Sequence, residues 1–92
     1  MDFANRILVV DDEEKIVEVI RSYLEHGGYE VYTAYNGKGA LETFEKAEPS
    51  LIILDLMLPD IPGEEVCRMI RKRSRVPIIM LTAKVEEEDI LK

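Results

Sequence analysis

The sequence predicts a single domain of the α/β class, in which helices cross over between the strands of one parallel sheet. Four short apolar runs are the first observation, and they occupy residues 7–10, 31–34, 51–54 and 78–81. The second observation is the length of the segments between these runs, which is about 16 to 23 residues. Such segments are long enough for a crossover helix and too long for a hairpin. Repeated strand–helix units of this kind form a parallel sheet with right-handed crossovers.

The composition of each run predicts how its strand is covered. The first, third and fourth runs are almost continuous in bulky aliphatic residues, a pattern typical of strands buried on both faces of a parallel sheet. The second run alternates more and contains Tyr32 and Thr33. We therefore expect less cover over the second strand than over the other three.

Each intervening segment carries apolar residues at helical spacings of three and four, which predicts a helix with one face packed on the sheet. The three stripes are Ile16, Val19, Ile20, Tyr23 and Leu24; Ala40, Leu41, Phe44 and Ala47; and Val66, Met69 and Ile70. Gly27 and Gly28 provide a stop signal for the first helix, and Pro49 follows the second. The pair Pro62 and Gly63 opens the third helix. The basic residues at 71–73 then suit the negative end of its dipole.

Length and charge exclude several classes of function. Ninety-two residues leave room for one modest core and no second domain. The chain has 19 acidic and 12 basic residues, a formal net charge of −7, whereas nucleic-acid or anionic-membrane binding needs a basic face. It contains neither a long uncharged apolar run nor a signal-peptide pattern, and its single cysteine, Cys67, cannot form an internal disulfide. We expect a cytoplasmic protein that binds neither nucleic acid directly nor membranes.

Acidic residues follow two of the predicted strands. Asp11 and Asp12 come directly after the first strand and Asp55 after the third, while Thr82 follows the fourth. Because the carboxyl ends of parallel strands meet at one edge of the sheet, these side chains are expected to converge there. Carboxylates that close repel each other unless a cation lies among them, and hard oxygen ligands suit Mg²⁺. An aspartate beside such an ion is also a possible nucleophile for a phosphoryl group.

A simpler interpretation of these aspartates remains open at this point. An aspartate after a strand is usually a turn former or a helix cap, and Asp12 stands where it could start the first helix. Spacing alone does not decide between a metal site and a set of capping residues.

Three longer motifs carry a resemblance to a known family. The segments ILVVDDE at 7–13, LDLMLPDIPG at 54–63 and PIIMLTAK at 77–84 strongly resemble the receiver domain of two-component response regulators, as does YNGKGAL at 35–41. The resemblance extends from about Arg6 to Lys92. It implies a flavodoxin-like, doubly wound parallel sheet with strand order 2-1-3-4. The chain is most similar to regulators that carry a DNA-binding output domain.

The resemblance also implies a role for each site residue. Asp55 matches the phosphoacceptor of the family, and Asp12 matches the direct ligand of Mg²⁺. Asp11 matches the acid that holds the ion through water, and the backbone carbonyl of Met57 matches the third protein ligand. The implied cofactor is therefore Mg²⁺.

Two further positions match the switch residues of the family. Thr82 matches the hydroxyl residue that moves to the phosphoryl group, and Ala83 matches the small residue that leaves room for it. The implied phosphodonor is a phosphohistidine on a sensor histidine kinase, or a small donor such as acetyl phosphate. The implied consequence is a switch that acts on an output domain or partner protein.

The chain departs from the family pattern near its end. A complete receiver alternates five strands with five helices, and its fifth strand ends in a lysine that pairs with the phosphoryl group. This sequence contains no match to that catalytic lysine, so residues 1–92 are expected to form one partial receiver domain. The fourth strand would then be an exposed apolar edge, and we expect self-association through it.

Three other functions remain as alternatives. The first is a truncated, signalling-inactive fragment that self-associates as an assembly or scaffold piece. A metal-dependent phosphohydrolase is disfavoured because such enzymes usually place a second acid two residues after the nucleophile, where this chain has Met57. A nucleotide-binding enzyme is disfavoured because no phosphate-binding loop of the Gly-x-x-x-x-Gly-Lys-Ser/Thr type follows the first strand.

Overall fold

A computed structural model describes residues 5–81 as a four-stranded sheet with helices on both faces. Its elements, in chain order, are β1 (Arg6–Val10), α1 (Glu14–His26), β2 (Glu30–Ala34), α2 (Gly37–Ala47), β3 (Leu51–Asp55), α3 (Gly63–Arg71) and β4 (Ile78–Leu81). All neighbouring strands are parallel and the order is β2-β1-β3-β4. The predicted α/β class and the strand order 2-1-3-4 are confirmed.

The central strands alternate their side chains between two separate cores. Leu8 and Val10 of β1 pack with Ile52 and Leu54 of β3 on the face covered by α2 and α3. On the opposite face, Ile7 and Val9 pack against Val17 of α1 and their neighbours. A strand whose successive side chains are buried on both faces needs a continuous apolar run, which is the pattern that predicted β1 and β3.

The inward face of α1 differs in phase from the predicted stripe. Val17 is fully buried, with Ile20 and Leu24 packed against the same core. Val19 and Tyr23 are instead 60% and 80% exposed. Both sets of residues repeat at spacings of three and four, so periodicity alone did not separate them. The predicted stop is confirmed, since α1 ends before Gly27 and Gly28 adopts a φ of 92°, which favours glycine.

The fourth strand is less covered than its composition predicted. Ile79 is 50% and Met80 37% exposed, and β4 pairs with β3 alone within residues 5–81. The prediction of a strand buried on both faces is therefore wrong for β4. The prediction that β4 forms an apolar edge agrees with its pairing and exposure within residues 5–81. Neither α1, α2 nor α3 is long and apolar enough to cross a membrane.

Candidate metal centre

Parallel pairing brings the acidic residues of β1 and β3 to one edge of the sheet. Val10 lies opposite Leu54 in the register of the two strands, so Asp11 and Asp55 follow at the same level. One carboxylate oxygen from each of Asp11, Asp12 and Asp55 lies within 4.8 Å of the others. The predicted convergence of the three acids is confirmed.

Backbone groups orient the two buried carboxylates. Asp11 Oδ1 accepts a hydrogen bond of 2.9 Å from the N–H of Glu13, and Asp55 Oδ1 accepts one of 3.2 Å from the N–H of Met57. The N–H of Asp11 itself donates to the carbonyl of Ala34 in β2, at 3.2 Å. Each acid is therefore held by the turn that follows its own strand, and its second oxygen remains for other partners.

Without a bound cation, the buried and mutually repelling charges of this cluster destabilise the folded state. Asp11 and Asp55 are each 1% exposed, while Asp12 faces solvent. Burial raises the pKa of Asp11 above its ordinary value, the N–H of Glu13 opposes that rise, and the charges of Asp55 and Asp12 add to it. None of the ion pairs formed within residues 5–81 involves these three acids. The site therefore has a net negative charge that a cation would compensate.

The donor set fits Mg²⁺. All side-chain donors are carboxylate oxygens, which are hard ligands, and the set is too small to replace the whole hydration shell of an ion. Mg²⁺ characteristically retains several waters and binds through one or two carboxylates. The exposed Asp12 leaves the cluster open to solvent on one side, so a hydrated ion can enter.

The capping interpretation of Asp12 does not describe the start of α1. The helix begins at Glu14 with Glu13 at the N-cap position, and no side chain makes a capping hydrogen bond there. Asp11 does form a local turn with Glu13, as the simpler interpretation allows for one aspartate. Asp12 remains exposed beside two buried carboxylates.

The other predicted site residues fall in two groups. Met57 lies in the loop after β3, two residues beyond Asp55, with its side chain 56% exposed. An exposed side chain fits the expectation that only the backbone of this residue matters at the site. Thr82 and Ala83, the predicted switch residues, lie outside the described residues 5–81.

Two residues that shape the site were not predicted from the sequence, Asp60 in the β3–α3 loop and Gly63 at the start of α3. Asp60 accepts hydrogen bonds from the N–H groups of Lys38 and Gly37, and these bonds hold its pKa below the ordinary value. Gly63 lies so close to β3 that an added Cβ would stand 2.4 Å from the carbonyl oxygen of Asp55. The contact of Asp60 with Gly37 and Lys38 spans more than twenty residues of sequence, so no local pattern predicts it. The Pro-Gly pair at 62–63 predicted a helix start but not the close approach of Gly63 to β3.

Comparison with known proteins gives a consistent result. A family model described as the response regulator receiver domain matches residues 7–92. The chain is 38% identical to the N-terminal domain of a response regulator receiver protein from Methanoculleus marisnigri, with a TM-score of 0.81 over 94% of this chain and 73% of that one.

Two of the similar structures were determined with a beryllium fluoride species. The response regulator TrrA of Thermotoga maritima, in complex with Mg²⁺ and BeF, is 47% identical, with a TM-score of 0.81 over 87% of this chain and 70% of that one. The BeF3-activated receiver domain of RstA from Klebsiella pneumoniae is 32% identical, with a TM-score of 0.84 over 95% of this chain and 75% of that one.

Proposed function

The chain belongs to the family of response regulator receiver domains, and from this membership we propose that it accepts a phosphoryl group on Asp55 in a Mg²⁺-dependent reaction. Domains of this family are phosphoacceptor signalling domains and are not generally classed as enzymes. The observation that carries the proposal is the convergence of Asp11, Asp12 and Asp55 within 4.8 Å at the carboxyl ends of β1 and β3.

The three acids have different tasks in this proposal. Asp12, which is exposed, would ligate Mg²⁺ directly, and the buried Asp11 would hold the ion through water. Asp55 and the backbone carbonyl of Met57 complete the protein ligands. A bound Mg²⁺ would neutralise the negative charge on the oxygens of the transferring phosphoryl group. The convergence of the three acids within 4.8 Å and the hard oxygen donors they offer support Mg²⁺ binding here, and the division of tasks follows the family resemblance.

The residues of the chain mainly position the acceptor. The N–H of Met57 holds Asp55 Oδ1, so the other oxygen of Asp55 is the one that attacks phosphorus. That oxygen forms a bond to phosphorus as the bond between phosphorus and the donor breaks, and the electron pair of the broken bond stays with the donor. Thr82 is proposed to donate its hydroxyl hydrogen to a phosphoryl oxygen, and Ala83 to leave the space for that movement.

The partners follow from the same proposal. Receiver domains interact with histidine kinases and output domains. We infer that the donor here is a phosphohistidine on a sensor histidine kinase, and that the output is a DNA-binding domain or a separate partner protein. A phosphoryl group adds roughly −1.5 to −2 units of charge to the edge of the sheet, which biases the adjoining loops toward a second arrangement.

Phosphoryl transfer from acetyl phosphate tests the proposal on the purified chain. Wild-type protein incubated with acetyl phosphate and Mg²⁺ should gain the mass of one phosphoryl group. The same incubation with a chelator should give no gain in mass. Without a cation, the three acids, whose carboxylate oxygens lie within 4.8 Å of one another, repel an incoming phosphate. Equal labelling with and without Mg²⁺ would contradict the metal assignment, and no labelling in either condition would favour the signalling-inactive fragment.

The exposed edge of β4 supports a second proposal, that this 92-residue chain self-associates. Within residues 5–81 the strand pairs only with β3, and Ile79 and Met80 are half-exposed apolar side chains on it. An open apolar strand edge can pair with the same edge of a second copy.

Light scattering over a series of concentrations tests this second proposal. The apparent mass of the wild type should rise with concentration, whereas Ile79→Lys should remain monomeric because a charged side chain on the edge opposes pairing. A wild-type chain that stays monomeric over the whole series would contradict self-association. A chain that associates yet is never labelled would be the scaffold fragment.

A further inference from the structure

Hydrogen bonds and apolar contacts attach the loop between β3 and α3, residues 56–62, to the rest of the domain. At its base, the N–H of Gly63 donates to the carbonyl of Leu56 at 2.9 Å, which closes the loop on itself. The N–H of Leu56 donates to the carbonyl of Leu81 in β4, at 3.2 Å. Leu58 and Ile61 pack against the core of the sheet. A further attachment is made by the side chain of Asp60.

Asp60 binds the first turn of α2 with both of its carboxylate oxygens. Oδ1 accepts from the N–H of Gly37 at 2.7 Å, and Oδ2 accepts from the N–H of Lys38 at 2.9 Å. These N–H groups have no partners within the helix, and they lie at the positive end of its dipole. Oδ1 also accepts from the N–H of Ile61 at 2.8 Å, which fixes the carboxylate relative to its own loop.

The packing around Gly37 shows that this contact brings two elements close together. A Cβ on Gly37 would stand 2.8 Å from the Cβ of Ile61 and 3.0 Å from a methyl carbon of Val66. Gly37 is buried although it begins a helix. The start of α2 therefore lies directly against the loop, and the space there accommodates no side chain.

The same loop carries the one proposed metal ligand that is a backbone group and not a side chain. In the proposed function, Met57 contributes its backbone carbonyl, so the direction of that carbonyl depends entirely on the conformation of the loop. The N–H of Met57 also supports the acceptor carboxylate of Asp55, at 3.2 Å. Anything that holds the loop still therefore acts on two parts of the site.

We propose that Asp60 is a positioning residue for the Mg²⁺ site, because its carboxylate attaches the loop that carries Met57 to the N-terminus of α2. Asp60 touches neither the metal nor the phosphoryl group, and it acts through the loop. This inference rests on the proposed function, since it requires a Mg²⁺ ion at Asp11, Asp12 and Asp55. It also links α2 to the site, so that ordering of the loop by Mg²⁺ tightens the contacts of Gly37 and Lys38.

A titration of the whole 92-residue chain with Mg²⁺, followed by nuclear magnetic resonance, tests the proposal. Asp60→Ala removes both acceptors, while Asp60→Asn retains one and places an amide N–H₂ against the other donor. The matched control is Asn36→Ala, because Asn36 Oδ1 caps the same helix through the N–H of Gly39, at 2.6 Å, a hydrogen bond in which the loop takes no part. Denaturant unfolding of each variant is measured in parallel.

The expected result is a graded loss of metal affinity that does not follow stability. The Kd for Mg²⁺ should rise about tenfold in Asp60→Ala, as for other residues that orient metal ligands, and by less in Asp60→Asn. Asn36→Ala should lower stability and leave the Kd unchanged. Equal Kd values for the wild type and both Asp60 variants, or an equal rise in Asn36→Ala, would overturn the inference. A wild type that binds no Mg²⁺ would overturn the proposed function as well, so the two failures are distinguishable.

Discussion

Asp55→Asn is expected to abolish labelling by acetyl phosphate while leaving the fold intact. The substitution keeps the size of the side chain and the oxygen that accepts the N–H of Met57, so the loop after β3 should retain its conformation. An amide oxygen is a poor nucleophile, and the acyl phosphate that would form at a carboxylate has no equivalent on asparagine. Intact-mass measurement should therefore show no added phosphoryl group at any Mg²⁺ concentration.

The same variant should be more stable than the wild type when no metal is present. The charge of Asp55 is one of the causes, after burial, that hold the pKa of Asp11 above its ordinary value of 3.8. A raised pKa means that the folded protein binds a proton more readily than the unfolded chain. The free energy of unfolding therefore falls as the pH rises through the interval above 3.8, and that loss persists at neutral pH.

Removing the charge of Asp55 reduces this pH-dependent loss in the free energy of unfolding. The free energy of unfolding of metal-free Asp55→Asn should exceed that of the wild type at neutral pH, because the substitution removes the repulsion between the charges of Asp55 and Asp11. This difference in the free energy of unfolding should shrink as the pH falls below 3.8, the ordinary pKa of Asp11. Denaturant titrations at several pH values measure it, and a variant less stable than the wild type at neutral pH would contradict the account of the cluster.

Gly63→Ala is expected to be strongly destabilising, because the β3–α3 junction has no room for a Cβ. The added atom would stand 2.4 Å from the carbonyl oxygen of Asp55 and 2.7 Å from the Cα of Leu56. Both are backbone atoms that cannot rotate away, so the strand end or the helix start must move. Overpacking of this kind costs roughly 1–3 kcal/mol and sometimes more. Thermal unfolding monitored by circular dichroism measures the loss.

Gly27→Ala is the matched control for that substitution. Gly27 has a φ of −81°, and an added Cβ would meet its nearest neighbours at an ordinary 3.4 Å. Its stability should stay within about 0.5 kcal/mol of the wild type. Equal losses for the two variants would show that the close approach of α3 to Asp55 does not limit the fold at this point.

The sheet and its acidic edge were predictable because local patterns report them. Continuous aliphatic runs arise where a strand is covered on both faces, as for β1 and β3, and the acids that follow these runs must then meet at one edge. The phase of α1 was not predictable in the same way. Val19 and Tyr23 satisfy the helical spacing as well as Val17 and Leu24 do, and only the tertiary packing selects the second pair.

The contact between Asp60 and α2 shows a different limit. In the sequence, an aspartate between two prolines indicates a turn and nothing more. Its partners are the backbone N–H groups of Gly37 and Lys38, in a helix more than twenty residues away. Because almost every residue has a backbone N–H group, the sequence does not indicate which of them will act as the donor. The residues that bear the chemistry could thus be found from motifs, whereas the residue that supports their loop required the structure.

The most direct test of the central claim is to locate the phosphoryl group on the chain. Protein treated with acetyl phosphate and Mg²⁺ is reduced with borohydride, which converts an acyl phosphate to an alcohol, and its peptides are then mapped by mass spectrometry. The proposed function predicts a reduced aspartate at position 55 alone, and only when Mg²⁺ was present. Reduction at Asp11 or Asp12, or at position 55 without Mg²⁺, would contradict it.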